Sequence, residues 1–419
     1  MASIMDSDLL TGGPSHIRRM NQEAILRLVQ RAGPVSRMDI AKILGLNPST
    51  VNRLVEQLVE AGLLLVGEER MSGRRGGRPA RLIYFNAEAA HVAALDLSDV
   101  PWRAALTNLA GEVIQSFTAT PRLGNREANL ELLEDLLRRI VDFNESQGGP
   151  PLRGIGVGAP SIVLWESGTV VWAASLGWRD LPLKAWIQER WDVPVFVEND
   201  VNLLALGESW RGAGQEATHL AVLAAGTGLG AGLILDGQLY RGANEAAGEV
   251  GYLPPGPEAL GKEYTGFGPL EALAAGPGLV QRAMDALAQG AGGLLAELVD
   301  EESASGQPLS PEDIYAAARQ GDALAQRLVT ETADYLSLAV AGLAVILNPE
   351  MILLGGEMAR AADLLLEPIR QRLTGLVPVM PRLVPVQLGD DGVILGAVAL
   401  VLRNTSPEVA GLRAMARQR

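Results

Sequence analysis

Apolar positions recur at helical spacing in three separate stretches near the start of the chain. They lie three and four positions apart over 21–31, 36–45 and 47–62, with polar residues between them. This spacing predicts three helices that each bury one face, and a glycine stands at or just after the end of each. The predicted buried positions are Ala24, Ile25, Leu28 and Val29 in the first helix, Ile40, Ile43 and Leu44 in the second, and Val51, Leu54, Val55, Leu58 and Val59 in the third.

Capping residues fix where the second and third helices begin. Ser36 is followed three positions later by Asp39, and Asn47 directly precedes Pro48, which suits a first helical position. The turn between these helices is therefore only a few residues long, as in a helix-turn-helix. The polar start of the third helix would then face the major groove of DNA.

Two short apolar runs, 63–66 and 81–85, flank a charged, glycine-rich loop and predict a wing of two strands. Arginines on such a loop can enter a narrow minor groove or contact phosphates. A three-helix protein-interaction or dimerisation module with a solvated basic loop is the alternative interpretation. The predicted DNA-binding residues are Ser36, Asn47, Ser49, Thr50, Asn52, Arg53, Arg74, Arg75 and Arg78.

Charge is distributed unevenly along the chain. Residues 1–86 hold 12 Lys and Arg against 8 Asp and Glu, whereas the remainder holds 23 against 41, within a net charge of -14. A basic head on an acidic body favours a small DNA-binding unit attached to a larger sensor or enzyme. No uninterrupted apolar run has the roughly 18 residues of a membrane helix, and the start lacks a secretory signal pattern, so we expect a cytoplasmic protein.

The body, residues 88–404, alternates strand-like and helix-like patterns. Three consecutive strands are expected at 91–97, 102–109 and 112–117, a helix at 127–145, and further strands around 154–158 and 193–197. A second set of strands starts at Thr218, and the last helical stretches are expected at about 311–347, 359–374 and 393–403. Two successive sets of this kind predict an α/β protein with two lobes.

Five segments of the body together resemble the ROK family (repressors, open reading frames and kinases). They are 196–208 with its Glu-Asn-Asp, 225–232 with Gly-Thr-Gly-Leu-Gly, 247–251, 350–357 and 392–399. The resemblance implies a winged helix-turn-helix (α+β) followed by a two-lobed α/β, actin-like ATPase (ribonuclease H-like) domain. We therefore expect a tail at 1–15, the DNA-binding domain at 16–86 with its basic wing at 70–81, the first lobe at 87–200, the second at 201–390, a helix returning to the first lobe at 391–404, and a tail at 405–419.

The resemblance also implies roles for residues of the cleft. In family kinases, the aspartate that matches Asp200 is the general base for a sugar hydroxyl, a role that suits a carboxylate at the end of a strand. It further implies sugar hydrogen bonds from Asn199, Asp200, Glu249 and Glu271, and phosphate contacts from the loop of Gly226, Thr227 and Gly228. Taken alone, these residues also fit a helix cap, a solvated glutamate and an ordinary turn.

The chain departs from the kinase pattern at three places. Family kinases carry Asp-x-Gly-Gly-Thr after the first strand, but Asp96-Leu97-Ser98-Asp99-Val100 stands here, which adds bulk and negative charge where phosphate would sit. Tyr252 replaces the zinc-ligand histidine, and 261–271 replaces the cysteine-rich zinc segment in a chain without cysteine. We therefore expect neither zinc nor another cofactor, while Tyr252 can still stack on a sugar.

These features predict a non-enzymatic regulator, most simply a repressor that leaves a double-stranded operator when a sugar binds between the lobes. A homodimer or homotetramer would present paired heads to a palindromic site. The stretch 311–347 is either part of a dimer interface or an interior helix. The alternatives are an ATP-dependent sugar kinase and a regulator that no longer binds sugar.

Overall fold

The computed structural model describes residues 14–70, 80–98, 100–264, 267–305 and 308–405. The predicted wing residues Arg74, Arg75 and Arg78 lie outside the described residues, and so does Asp99.

The N-terminal head contains three helices and a small antiparallel sheet. Its elements are α1 (Pro14–Ala32), β1 (Val35–Ser36), α2 (Arg37–Leu44), α3 (Pro48–Glu60), β2 (Leu64–Arg70) and β3 (Ala80–Phe85). β3 lies between β1 and β2. The strand β1 was not expected from sequence, because two residues are too short to show a periodic pattern.

The capping residues predicted for the second and third helices are confirmed. The Ser36 hydroxyl accepts a hydrogen bond from the backbone of Asp39, and the Asn47 side chain accepts one from Ser49. Gly45 has a φ of +64°, which lets it end α2 without the strain that a side chain would add. The prediction that Ile43 is buried was wrong, since its side chain is 58% exposed while Ala41 takes the inward position.

The first lobe is built on a five-stranded sheet. Its elements are β4 (His91–Asp96), β5 (Trp102–Asn108), β6 (Val113–Ala119), α4 (Arg126–Ser146), β7 (Leu152–Ala159), β8 (Val163–Leu164), β9 (Thr169–Ala173), β10 (Trp178–Leu181), α5 (Leu183–Gln188) and β11 (Val195–Asn199). The order in the main sheet is β11-β7-β4-β5-β6, and β8 to β10 form a separate three-stranded sheet. β4, β7 and β11 are parallel to one another.

The second lobe repeats this plan. Its elements are α6 (Asp200–Arg211), β12 (Leu220–Ala225), β13 (Leu229–Leu235), β14 (Gln238–Leu239), α7 (Glu271–Ala274), α8 (Gly276–Ala288), α9 (Leu294–Ser305), α10 (Pro311–Arg319), α11 (Ala323–Leu347), β15 (Met351–Gly355), α12 (Ala362–Leu373), β16 (Arg382–Pro385) and α13 (Gly392–Asn404). Its sheet has the order β14-β13-β12-β15-β16. In both main sheets an antiparallel meander of three strands is extended by two parallel strands, as a two-lobed actin-like fold requires.

The stretch 311–347 is two helices and not one. Gly321 has a φ of +92°, and Asp322 caps the start of α11 by accepting from the backbone of Ala325. Among the described helices, α11 alone is long and apolar enough to cross a membrane by length and composition, and half of that window is buried inside the protein. Core helices pass the same test, and α11 packs into the core of the second lobe.

Helices α6 and α13 cross backbone to backbone where the two lobes meet. A Cβ atom on Gly396 would overlap the carbonyl oxygen of Leu203, and one on Gly207 would overlap that of Gly392. Only glycine permits this approach. Since α6 also packs on the second sheet and α13 on the first, this crossing holds the lobes together.

The core of the head continues into the body. Ile83 of the head lies in the same buried cluster as Leu109 of the first lobe and Leu400 of α13. The Leu109 backbone N–H also donates to the carbonyl of Ala87, which follows the head directly. The head therefore packs against the body through a shared apolar core.

We predict that Gly396→Ala destabilises the protein. Alanine favours a helix by about 1 kcal/mol over glycine, but overlap with the Leu203 carbonyl should cost more, since overpacking costs about 1–3 kcal/mol or more. We expect a net loss of about 1–2 kcal/mol, read from the urea-unfolding midpoint. Gly292→Ala is the matched control, because a Cβ there meets nothing within 4 Å. A Gly396→Ala protein as stable as the wild type would contradict the tight crossing.

Candidate functional site

The start of α3 presents a polar surface to solvent. Asn47, Ser49, Asn52 and Arg53 are exposed, and Thr50 is half-buried. Asn47 Oδ1 accepts from both the backbone N–H and the hydroxyl of Ser49, 3.0 and 2.9 Å away, so these two side chains are held at the N-terminus of the helix. A positive helix end with exposed donors suits contact with a phosphate or a base edge.

Ser36 is placed differently from the other predicted DNA-binding residues. It is 7% exposed, and its hydroxyl donates to Asp39 Oδ2 at 2.7 Å while accepting from the Asp39 N–H at 3.1 Å. This geometry assigns Ser36 a structural role in capping α2. Its contact with DNA stays a prediction with no observation in its favour.

The junction of β11 and α6 lies at the cleft between the lobes. Asn199 Oδ1 caps α6 by accepting from the Asn202 N–H at 3.0 Å, and Asn199 Nδ2 donates to Asp200 Oδ1 at 2.9 Å. The Asn199 amide also donates to the Ser161 carbonyl at 3.1 Å. The alternative interpretation of Asn199 as a helix cap is therefore correct. The same cap orients the amide beside the Asp200 carboxylate.

An ion pair that the sequence did not predict lies beside this junction. Glu198 is 2% exposed, and its Oε2 lies 2.6 Å from Nε of Arg241, which follows the second-lobe strand β14. The Arg241 guanidinium also lies over the Trp165 ring, 4.1 Å from its centroid. A charge this deeply buried is costly unless it is paired, so the pair fixes the second lobe against the first. Glu198 stands inside the Glu-Asn-Asp motif, but no sequence spacing connects it to Arg241.

Two carboxylates of the second lobe approach the glycine loop between β12 and β13. Glu271 Oε2 accepts from the Leu229 N–H at 2.9 Å and lies close to Gly228, where a Cβ would be 3.3 Å from it. Gly248 directly precedes Glu249, and a Cβ on it would overlap the Ala231 carbonyl. Glycine at 248 thus lets the Glu249 segment lie against β13.

Burial perturbs both of these carboxyl groups, and the charge of Glu271 also acts on Glu249. Burial, followed by the negative charge of Glu271, raises the pKa of Glu249 above its ordinary value of 4.5. Burial also raises the pKa of Glu271, although hydrogen bonds from the Leu229 and Gly268 backbone oppose this. Raised carboxyl pKa values in a cleft are typical of a binding or catalytic site.

Asn199 and Glu249 meet across a small cavity between the lobes. Its volume is about 30 Å³, and Gly230, Gly248 and Asn202 also line it. This is room for about one or two water molecules. Tyr252 stands nearby with 59% of its surface exposed, and burial of its hydroxyl and the charges of Glu249 and Glu271 raise its pKa.

The two loops that would hold phosphate are closed by their own hydrogen bonds. At the end of β4, Asp96 Oδ1 accepts from the Ser98 N–H at 3.0 Å and from the Ser98 hydroxyl at 2.5 Å. In the second loop the Gly226 N–H donates to the Gly228 carbonyl, and the Gly226 carbonyl accepts from Gly276. Thr227 lies at the tip of this turn. In the described part of the chain, no three His, Cys, Asp or Glu side chains come together as a metal site.

The fold and these sites define a class of protein, namely a DNA-binding head joined to a two-lobed sugar-kinase-like body. A sequence model of the ROK family matches residues 92–404, and a winged helix-turn-helix DNA-binding model matches residues 21–64. The chain therefore belongs to the ROK family and begins with a winged helix-turn-helix DNA-binding domain.

Relatives match this chain over two different lengths. A xylose repressor of Caldicellulosiruptor bescii is 31% identical over 408 residues, which covers 95% of this chain and 100% of the relative. A glucokinase of Halalkalibacterium halodurans is 32% identical over 316 residues, covering 73% of this chain and 93% of the relative. A solved ROK family transcriptional regulator, described as a homolog of the Escherichia coli MLC protein, has a TM-score of 0.79 at 26% identity and covers 96% of this chain and 98% of its own.

We predict that Glu249→Gln changes how stability depends on pH. A folded-state pKa above the unfolded value gives stability that is fully present below pH 4.5 and is lost as the pH rises through the folded pKa. Glutamine removes this loss, so the urea midpoint of the variant should rise relative to that of the wild type as the pH increases above 4.5. Glu145→Gln, on the exposed surface of α4, is the control for the change in net charge. Parallel pH profiles for wild type and Glu249→Gln would contradict the assignment.

Proposed function

We propose that this protein is a transcriptional repressor of carbohydrate-utilisation genes that a sugar releases from its operator. The observation that carries the proposal is the joining of the two sites in one chain. An exposed polar α3 lies on a head that packs onto the body through a shared core, and the body holds a cleft lined by an amide and carboxylates. The long match to a xylose repressor, which includes the head, supports it.

On DNA, α3 would enter the major groove with Ser49, Asn52 and Arg53 near the base edges. Asparagine pairs well with adenine and arginine with guanine, so these exposed side chains can read sequence. The arginines of the wing, Arg74, Arg75 and Arg78, would add contacts to the minor groove or to phosphates. A homodimer or homotetramer in the cytoplasm would place two heads on a palindromic operator.

In the cleft, Asn199, Asp200, Glu249 and Glu271 would hold sugar hydroxyls, and Tyr252 would stack on a sugar face. Carboxylates and amides suit this because they accept hydrogen bonds from adjacent hydroxyls. The cavity that Asn199 and Glu249 share has a volume of about 30 Å³, so we infer that the lobes part to admit a sugar and close on it. A useful switch needs a few kcal/mol of difference in affinity between the open and closed states.

Sugar kinase activity is the less favoured function. Asp96 ties Ser98 into a tight turn where a phosphate loop would need open glycine backbone, and the Glu271 carboxylate lies beside Gly228. The Ser98 side chain and this closed turn disfavour a bound polyphosphate, because phosphate needs the close backbone approach that glycine allows. We therefore propose that Asp200 no longer acts as a general base, and that the protein needs no zinc or other cofactor. Because one relative is a glucokinase, a coupled assay of sugar-dependent ATP hydrolysis tests this alternative. Turnover that Asp200→Asn abolishes would establish a kinase.

We predict that Arg53→Ala and Asn52→Ala each weaken sequence-specific DNA binding. Loss of a base contact costs about 1–3 kcal/mol, or roughly 5- to 150-fold in affinity. Fluorescence anisotropy with an operator selected from genomic DNA measures this change. Arg327→Ala, an exposed arginine on α11 that pairs with Glu331, is the matched control and should bind as the wild type does. Equal affinity in all three variants would show that α3 does not read DNA.

We predict that one sugar of a panel containing xylose, glucose and N-acetylglucosamine weakens operator binding at least 10-fold. Glu249→Gln and Asp200→Asn should each lose most of this response while keeping operator affinity without sugar, because they change the cleft and not α3. The same anisotropy titration, repeated with sugar, measures both quantities. A panel without effect on the wild type would indicate a regulator that does not sense sugar.

A further inference from the structure

A second cavity, larger than the one in the cleft, lies between the head and the body. Its volume is about 530 Å³, which falls within the range of small-molecule sites. Helix α1 of the head forms one wall, and the end of α6, the loop after it and the end of α13 form the other. None of the proposed DNA or sugar contacts touches this space.

Four arginines and two glutamates line the cavity, which leaves a formal excess of two positive charges. Arg27 and Arg31 come from α1, whereas Arg153 and Arg403 come from the body. The acids are Glu23, which pairs with Arg27 at 3.5 Å, and the exposed Glu216. The cations of the head thus face those of the body across the cavity.

Arg153 is the most informative of these residues because its side chain is only 7% exposed. Its Nε donates to the Thr405 hydroxyl at 2.7 Å and its Nη2 to the Thr405 carbonyl at 2.9 Å. Its Nη1 is buried without a hydrogen-bond partner among residues 14–405 as far as they are described. A buried guanidinium with no carboxylate partner is costly, and an anion would satisfy it.

Arg403 and Arg31 extend the positive cluster. Burial, followed by the charges of Arg27, Arg31 and Arg241, lowers the pKa of Arg403 to about 10. Arg31 Nη2 donates to the Gln215 carbonyl at 3.1 Å, a contact that joins α1 to the loop after α6. The cluster therefore repels itself across the boundary between head and body, and a bound anion would relieve that repulsion.

We propose that this cavity binds a phosphate monoester and that the bound ester ties the head to the body. A phosphate monoester carries up to two negative charges at neutral pH, matching the excess charge, and arginine forks bind phosphate oxygens in pairs. The organic part would lie against Trp210, Phe85 and Leu402, which supply apolar and aromatic surface in the same cavity. The ester thus acts as an effector separate from the sugar in the cleft.

Isothermal titration of the full-length protein with phenyl phosphate and glycerol 3-phosphate tests the proposal, because neither probe offers the cleft a sugar. We expect one ester to bind per chain and to raise the melting temperature. Arg153→Gln and Arg31→Ala should each weaken binding at least 10-fold. Arg31 is exposed, so its variant keeps the test decisive if Arg153→Gln fails to fold. Arg138→Ala, an exposed arginine on α4, is the control and should bind normally.

Hydrogen exchange locates the bound ester. Protection should rise in peptides that span 23–31 and 399–403 and stay unchanged in those that span 249–252. The proposal is overturned if neither ester binds or if binding survives both arginine substitutions. It is also overturned if protection rises in the cleft peptides, or if succinate binds more tightly than the esters. Equal binding of inorganic phosphate would indicate an adventitious ion only. None of these results bears on sugar binding in the cleft, which the sugar panel tests separately.

Discussion

The crossing of α6 and α13 is the contact on which the rest of the structure depends. Gly207 and Gly396 let the two helix backbones touch. Because α6 packs on the sheet of the second lobe and α13 on that of the first, this contact holds the two lobes together. Helix α6 starts at Asn199 and Asp200, and its far end reaches Trp210 in the cavity beside the head. One rigid helix therefore connects the proposed sugar site to the head. A shift of α6 when the lobes move would be felt at both ends, since close-packed interiors transmit small displacements.

Charged groups set the balance at the cleft end of that helix. Glu198 and Arg241 satisfy one another across the lobes, and their attraction favours the closed arrangement. Glu249 and Glu271 repel each other, and burial raises the pKa of both. Hydroxyls that donate to these carboxylates would relieve that cost. The body thus contains one interlobe contact that holds it closed and one pair of acids that a ligand would stabilise.

Local signals made most of the fold predictable. Caps such as Asn47, glycines such as Gly45 and the alternation of strands and helices each act over a few residues, so a single sequence shows them. Ile43 was misassigned because helical periodicity shows which residues share a face, but not how far that face is covered. The helical stretch predicted over 311–347 is interrupted at Gly321 and Asp322. Gly321 lies in the turn after α10 and Asp322 caps α11, whereas the prediction included both residues in the helical stretch.

The sites were predictable only where a motif carries them. Asn199 and Asp200 are adjacent in sequence, whereas Arg241 meets Glu198 across 43 residues and the cavity at the head draws on α1, α6 and α13. Contacts of this kind depend on packing that a single sequence does not display.

The most direct test of sugar-controlled operator binding is the selection of genomic DNA fragments by the purified protein. The selected fragments are sequenced with and without each sugar. We predict enrichment of a palindrome beside sugar-utilisation genes and its loss with one sugar. Fragments enriched at random, or a palindrome retained with every sugar, would contradict this prediction.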